Sequence, residues 1–194
     1  VYLVAAAELA NADGADGSTD GVVDLGFVAA QPASYRFVGA ALDDRAGFRV
    51  AALGDIDGDA RSELLIGSDW DDATGLGSTG TVHLVAATDL VAADAADGTA
   101  DGVIELGHVA GQPGSYRFDG AGTGNRAGFS VASAGDVDGD GRNDVLIGAP
   151  YADDLARSNG QAYLVATADL AGADRADGTA DGIIDLTRIA SLPS

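Results

Sequence analysis

Two acidic loops of nearly identical sequence carry the side chains best suited to chemistry in this chain. They read GDIDGDARSELLIGSD over residues 54–69 and GDVDGDGRNDVLIGAP over residues 135–150. Carboxylates at positions 1, 3, 5 and 9 of each loop would repel one another unless a cation lay between them. Positions 1, 3, 5, 7 and 9 are Asp55, Asp57, Asp59, Arg61 and Glu63 in the first loop, and Asp136, Asp138, Asp140, Arg142 and Asp144 in the second.

The spacing of these acids predicts a calcium site in each loop. Glycines between the acids allow a tight coil, because glycine tolerates positive φ. Positions 1, 3 and 5 can then converge, with a backbone carbonyl at position 7 and a carboxylate at position 9. A cage of hard oxygen ligands suits Ca²⁺, whereas Mg²⁺ needs a tighter octahedron and transition metals favour His or Cys. We expect the first site to be weaker, because Ala60 and Glu63 replace a Gly and an Asp. A solvated Asp-Gly turn is the alternative for each loop.

Three further acidic stretches, over residues 16–24, 97–105 and 177–185, repeat the same spacing with Ser or Thr at position 3. Each has Gly at position 6, where an EF-hand loop also needs a sharp turn. The pattern predicts up to three additional Ca²⁺ sites, and the alternative is an Asp-Gly turn that leads into a Val-Ile strand. The candidate ligands are Asp16, Ser18, Asp20, Val22 and Asp24; Asp97, Thr99, Asp101, Val103 and Glu105; and Asp177, Thr179, Asp181, Ile183 and Asp185.

The charge balance limits the classes of partner. The 194 residues include 31 acids and 10 bases, for a formal net charge of −21. Nucleic acid is disfavoured as a partner, because binding it requires a basic surface. The alternative explanation of the negative charge is a salt-adapted acidic surface, which would scatter Asp and Glu freely over the chain. More than half of the acids instead lie at the ligand positions above. The absence of Cys excludes disulfides and thiolate metal sites.

The elements that position these loops are organised as repeats. A Tyr/His-Leu-Val segment starts near residues 1, 82 and 162, and a Ser-Tyr-Arg-Phe segment starts at residues 34 and 115. We divide the chain into a partial repeat over 1–44, a full repeat over 45–125, and a repeat over 126–194 that lacks its last strand. Each repeat has about four short strands rich in Val, Ile, Phe and Tyr, flanked by Gly or Asp-Gly. The predicted fold is therefore all-β.

Four strands in a repeat of this length predict the blade of a β-propeller that carries an insertion. A stacked, open array of the same units is the competing geometry. Two full repeats are too few to close a propeller, so we expect the chain to be a window of a longer array. No apolar run is long enough to span a membrane, and no signal peptide is visible.

One segment resembles a known family. Gly128-Phe129 followed by SVASAGDVDGDGRNDVLIGAP is similar to the FG-GAP repeat of integrin α-subunits and of bacterial surface and secreted proteins. The resemblance implies a seven-bladed propeller with Ca²⁺ in the loop between the first two strands of a blade. It also implies the acids at positions 1, 3, 5 and 9 of the two loops as ligands. The sequence departs from the family pattern in its order Gly-Phe and in Gly67-Ser68-Asp69, which stands in place of Gly-Ala-Pro.

We found no motif for a catalytic nucleophile, a phosphate-binding loop or a paired-His metal site. His83 replaces a Tyr of the other repeats, so we expect a structural strand residue. We likewise expect Trp70 to pack within the fold, and Arg45 and Arg126 to pair with nearby acids.

The sequence therefore predicts a non-catalytic, extracellular calcium-binding repeat protein with a structural or adhesive role. Its expected partners are further repeats or other copies of itself. The alternatives are a propeller that binds a glycan or a protein, and an accessory domain of a secreted hydrolase.

Overall fold

The computed structural model describes residues 1–72, 75, 77–154 and 157–191. Within these ranges most regular structure is β-strand and the helices are short, which agrees with the predicted all-β class. The strands are β1 (Tyr2–Leu3), β2 (Tyr35–Val38), β3 (Arg49–Gly54), β4 (Glu63–Ser68), β5 (Thr81–Val85), β6 (Val103–Glu105), β7 (Tyr116–Asp119), β8 (Ser130–Gly135), β9 (Asp144–Ala149), β10 (Asp153–Asp154), β11 (Arg157–Ser158), β12 (Gln161–Val165) and β13 (Ile183–Asp185).

Short helices follow the Tyr/His-Leu-Val strand of each repeat. The α-helices are α1 (Leu9–Gly14), α2 (Leu90–Asp94) and α3 (Leu170–Asp174). The 3₁₀ helices are Ala6–Glu8, Leu25–Ala30, Ala87–Asp89, Leu106–His108, Thr167–Asp169, Arg175–Asp177 and Leu186–Ser191. Among the described residues, none of these helices has the length and apolar character needed to cross a membrane.

The central sheet contains the four strands predicted for one repeat. Strands β3, β4, β5 and β7 are antiparallel neighbours, and β13 adds a fifth strand beside β7. Two other sheets contain β1-β2-β6 and β8-β9-β12, and β10 pairs with β11. The sheet β8-β9-β12 thus repeats the first three strands of the central sheet. The exact boundaries assigned to the repeats stay a prediction.

Two of the three additional acidic stretches, over residues 97–105 and 177–185, each insert a strand into the sheet of the preceding repeat. Strand β6 pairs in parallel with β2, and β13 pairs in parallel with β7. The Arg117 backbone N–H donates to the Gly182 carbonyl at 2.8 Å, which fixes the start of the second pairing. The sequence indicated that a strand could follow the Asp-Gly turn, but it did not indicate this partner. Strands β6 and β13 therefore each link two successive repeats through backbone hydrogen bonds.

Two apolar cores lie between the sheets. The core between the central sheet and β8-β9-β12 contains Leu65, Leu84 and Phe118, all fully buried. The core toward the first sheet contains Phe37 and Ile104, which are also nearly inaccessible. These cores hold the sheets against one another, because apolar burial contributes roughly 25 cal/mol per Å² removed from water.

Candidate metal centre

The two acidic loops connect β3 to β4 and β8 to β9, the first two strands of their sheets. This is the position that the resemblance implied. The strand pairing shifts register immediately before each loop, between Ala52 and Gly54 and between Ser133 and Gly135. Gly54 and Gly135 have φ of 88° and 75°, so each loop leaves its strand through a backbone conformation that favours glycine.

Side chains within each loop hold its backbone in a tight coil. In the second loop, Asp136 accepts from the backbone N–H groups of Gly139 at 2.7 Å and Gly141 at 3.0 Å. Asp138 and Asp140 each accept from the N–H two residues ahead, at 3.0 and 2.8 Å. The first loop has the same four hydrogen bonds at the equivalent positions. The repeated acids therefore shape the loop that presents them.

The coil brings three acids of each loop to one point. In each group, one carboxylate oxygen per residue lies within 4.8 Å of the others. The groups are Asp55, Asp57 and Glu63, and Asp136, Asp138 and Asp144. Asp59 and Asp140 lie in the same loops but outside these groups. Their carboxylates accept hydrogen bonds from the backbone N–H groups of Arg61 and Arg142. Positions 1, 3 and 9 thus converge, whereas position 5, which the spacing placed with positions 1 and 3, lies outside both groups.

The acid at position 9 is buried and also anchors the loop. Asp144 accepts from the Val137 N–H at 2.9 Å through Oδ2 and from the Thr167 N–H at 3.0 Å through Oδ1. These hydrogen bonds tie the loop to the helical turn that follows β12. The position was found from sequence spacing, but its contact with Thr167 is set by the tertiary structure.

Glu63, the equivalent residue in the first loop, has an incompletely satisfied carboxylate. It is fully buried, and its Oε2 accepts from the Ile56 N–H at 2.8 Å. Its Oε1 has no hydrogen-bond partner. Desolvation raises the pKa of Glu63; the N–H groups of Ile56 and Ala87 oppose that rise, and the charges of Asp57 and Asp59 add to it. A buried, partly unsatisfied carboxylate beside other acids is the environment that a cation stabilises.

The donor chemistry fits a hard metal ion. All three side chains in each group offer carboxylate oxygens, the ligands of Ca²⁺ and Mg²⁺ rather than of soft transition metals. The two acidic clusters can therefore hold a metal ion.

The comparison with protein families agrees with this geometry. Residues 127–165 match the family model of the FG-GAP repeat, a stretch that contains β8, the second acidic loop, β9 and β12. This segment, about a fifth of the chain, is therefore similar to an FG-GAP repeat. Comparison with curated proteins gives no match to the chain.

The three additional acidic stretches lie outside the matched FG-GAP segment, and their first acids are exposed and engaged locally. Asp97 accepts from both the N–H and the hydroxyl of Thr99, each at 2.8 Å, and Asp16 and Asp177 make the same pair of contacts. These hydrogen bonds lower the pKa of all three acids. Among the described residues, no group of three acids in these stretches converges as in the two loops. Their role as metal ligands stays a prediction.

The sequence analysis missed three acids, each of which accepts a hydrogen bond from the glycine at position 6 of one of these stretches. Asp94 and Asp174 are largely buried and accept from the N–H of Gly102 and Gly182 at 2.8 and 2.7 Å. Asp13 makes the equivalent contact with the first stretch. Each acid lies eight residues before its glycine, so its recurrence in all three repeats was the available signal.

An Arg-aromatic stack lies at the opposite end of the strands from the two acidic loops. Trp70 is half-buried, with the Arg45 guanidinium 3.9 Å and the Arg126 guanidinium 4.9 Å from its ring centroid. Arg126 also lies 4.7 Å from the Tyr151 ring. Desolvation raises the pKa of the buried Asp69 next to the stack, and Arg45 and Arg126 oppose that rise. Arg126 thus contacts aromatic rings of two successive repeats, whereas Arg45 contacts a ring of its own repeat. The expected pairing of the two arginines with acids stays a prediction.

Proposed function

We propose that this chain is a non-catalytic, extracellular repeat module that binds Ca²⁺ in its two acidic loops and has a structural or adhesive role. The observation that carries the proposal is the convergence of three carboxylates in each loop, with the third one buried. Oxygen-only sites of this kind take Ca²⁺ with modest affinity in extracellular modules. Free Ca²⁺ outside cells is abundant enough to fill them.

The bound ion would supply positive charge between acids that otherwise repel. Asp136 and Asp138 would be ligands on the loop, and Asp144 would be a ligand from the first residue of β9. Because the same carboxylates accept backbone N–H groups, the ion would hold the turn between two strands in one conformation. Ligand binding to the folded state adds to the free energy of unfolding by mass action.

A structural or adhesive role is consistent with the FG-GAP match and with the absence of a catalytic motif in the sequence. His83, one of two histidines, is buried within β5, and burial lowers its pKa to about 3. A neutral, inaccessible imidazole is suited to packing rather than to proton transfer. The partners that we propose are further repeats or other copies of the chain.

The test compares thermal unfolding in Ca²⁺ and in excess chelator. We expect Ca²⁺ to raise the melting temperature, and Asp138→Asn to reduce that rise. A tenfold loss of affinity corresponds to about 1.4 kcal/mol at saturating Ca²⁺. In chelator the same variant should be neutral or stabilising, because one repulsive charge is gone. Calorimetric titration with Ca²⁺ and with Mg²⁺ then counts the sites and identifies the preferred ion.

Asp43→Asn is the matched control. Asp43 is exposed and lies outside both carboxylate groups, so its variant removes the same charge without removing a ligand. Its melting temperature in Ca²⁺ should stay close to that of the parent chain. Equal melting temperatures of the parent chain in Ca²⁺ and in chelator would refute the proposal.

A further inference from the structure

Two equivalent pockets lie where an acidic stretch meets the loop that precedes β2 or β7 in the preceding repeat. The first pocket has a volume of about 330 Å³ and the second a volume of about 180 Å³. The lining of the second pocket includes Gln112, Tyr116, Asp174 and Asp181. The same residue types, one repeat earlier, line the first pocket: Gln31, Tyr35, Asp94 and Asp101. The pocket and its polar lining are therefore a feature of the repeat itself.

Neighbouring repeats leave both pockets open. The first pocket lies between the first and central repeats, and the third repeat follows it in the chain. The second pocket lies between the central and third repeats, and the first repeat precedes it. A repeat on either side therefore does not cover this position of the fold.

One aspartate of each pocket is almost fully buried. Asp174 is 7% exposed and Asp94 is 8% exposed. Their Oδ1 atoms accept from the N–H groups of Gly182 at 2.7 Å and Gly102 at 2.8 Å. Their Oδ2 atoms accept no hydrogen bond from the part of the chain that the structure describes. A desolvated carboxylate with a free oxygen is costly unless a donor or a cation reaches it.

The other polar side chains of the linings mainly offer acceptors. Gln112 uses its Nε2 to donate to the His108 carbonyl at 3.3 Å, which leaves the amide oxygen for a ligand. Its counterpart in the first pocket makes the same contact. Asp181 accepts from the Ile183 N–H at 3.1 Å through Oδ1, which leaves its Oδ2. The pockets therefore suit a group that donates several hydrogen bonds.

Charge selects a cationic group. Among the described residues of the two linings none is basic, whereas each lining contains two aspartates. The net charge of −21 also raises the concentration of cations near the chain. An ammonium or guanidinium group donates several hydrogen bonds and accepts none. The rings of Tyr35 and Tyr116 add attraction for a cation that lies over their faces.

We propose that each pocket binds the ammonium or guanidinium group of an organic cation. The charged group pairs with Asp174 and Asp181 in the second pocket, and with Asp94 and Asp101 in the first. Small-molecule sites usually start at about 300 Å³, so pockets of this size fit one charged group on a flexible chain. The source of that group is a Lys or Arg side chain of a basic protein, or a free polyamine. This inference goes beyond the proposed function and does not involve the two acidic loops.

The test is an amide NMR titration of the 194-residue chain in millimolar Ca²⁺. The N–H signals of Gly102 and Gly182 are the reporters, because each group donates to the buried aspartate of its pocket. The probes are Nα-acetyl-lysine amide, Nα-acetyl-arginine amide and spermidine, up to about 50 mM, a range that spans a dissociation constant of about 1 mM. We expect saturable shifts of both signals. The relative affinities of the amino-acid probes and spermidine distinguish the two sources.

Each pocket provides the matched control for the other. Asp174→Asn should weaken binding at the second pocket by about tenfold or more, because a hydrogen bond to a charged and largely buried carboxylate is lost. The Asn amide oxygen can still accept from Gly182, so the turn keeps its shape. In the same variant the Gly102 signal should titrate as in the parent chain, and Asp94→Asn should reverse this pattern.

A second variant covers the case in which Asp174→Asn changes amide signals far from the pocket. Asp181→Asn removes an exposed carboxylate of the same lining, and the Asn can still accept from the Ile183 N–H. It should weaken the response of Gly182 and leave that of Gly102 unchanged.

Three outcomes would overturn the proposal. The first is the absence of saturable shifts with every cationic probe, or shifts that Asp174→Asn and the distant Asp43→Asn reduce equally, which would reflect general attraction to a negative chain. The second is saturation by glucose without a response to the cations. The third is loss of the cation-induced shifts when Ca²⁺ is raised at constant ionic strength, which would make the pockets metal sites. The melting comparison in Ca²⁺ and chelator tests the proposed function separately, and either proposal can fail alone.

Discussion

At the scale of single residues, the two acidic loops differ most clearly at position 6. Gly141 occupies it in the second loop with φ of 90°, and Ala60 occupies it in the first loop with φ of 68°. A left-handed backbone costs a residue with a Cβ roughly 1–2 kcal/mol, whereas glycine adopts it freely. The sequence predicted a weaker first site from this substitution, and the left-handed backbone at Ala60 gives a physical reason for that prediction.

Reciprocal substitutions test this reason. Gly141→Ala should lower the free energy of unfolding by about 1 kcal/mol and weaken Ca²⁺ binding to the second loop. A Cβ at Gly141 would contact no atom within 4 Å, so the effect would come from backbone strain rather than from a clash. Ala60→Gly should change both quantities in the opposite direction. Denaturant unfolding and calorimetric titration measure them, and changes of the same sign in the two variants would contradict the explanation.

The buried imidazole of His83 gives stability a pH dependence. Burial, assisted by the charge of Arg117, lowers its pKa from 6.5 to about 3. Between these values the unfolded chain binds a proton that the folded chain does not, so stability falls as the pH falls below about 6.5. The expected loss from pH 7 to pH 5 is about 2 kcal/mol.

Denaturant unfolding of the parent chain and of His83→Leu between pH 5 and pH 7 measures this loss. The variant should show a smaller slope of stability against pH, whatever its absolute stability. Parallel slopes for the two proteins would show that His83 does not titrate in this way.

At the scale of elements, the inserted segments depend on close approach of two backbones. A Cβ added to Gly182 would lie 1.9 Å from the Ala110 carbonyl oxygen, and one added to Gly102 would lie 2.0 Å from that of Ala29. Only glycine fits where the insertion of one repeat meets the preceding repeat. The sequence predicted a sharp turn at these glycines, but the reason that the structure gives is packing between repeats.

Gly182→Ala should therefore destabilise the chain more than Gly178→Ala. Both glycines have positive φ, so both variants incur about 1 kcal/mol of backbone strain. Only Gly182 adds a clash with backbone, which should cost a further 1–3 kcal/mol or so. Urea unfolding gives the difference, and hydrogen exchange should show faster opening of β7 and β13 in Gly182→Ala. Equal destabilisation by the two variants would count against a close backbone contact.

At the scale of the whole molecule, the net charge of −21 opposes folding and association. Bound Ca²⁺ and dissolved salt reduce this repulsion in different ways, since one neutralises particular clusters and the other screens all charges. In chelator we expect the melting temperature to rise with added NaCl. In millimolar Ca²⁺ the same addition should have a smaller effect.

The measurement is a melting series in NaCl at fixed Ca²⁺ or fixed chelator, with MgCl₂ at equal ionic strength as the control for divalent screening. If Mg²⁺ and Ca²⁺ have the same effect, the stabilisation is general screening. That outcome would favour the salt-adapted acidic surface over specific sites.

Sequence alone determined the repeat, the all-β class and the two loops whose acids converge, because these follow from local periodicity and from spacing within nine residues. It also identified the FG-GAP segment, since that motif is contiguous. Tertiary structure decided the features that join distant residues: the pairing of β6 and β13 with strands of the preceding repeat, the anchoring of Asp144 by Thr167, and the close approach of Gly182 to Ala110. The physical reason is that a strand pattern shows which face is apolar, but only packing of whole sheets selects what covers it.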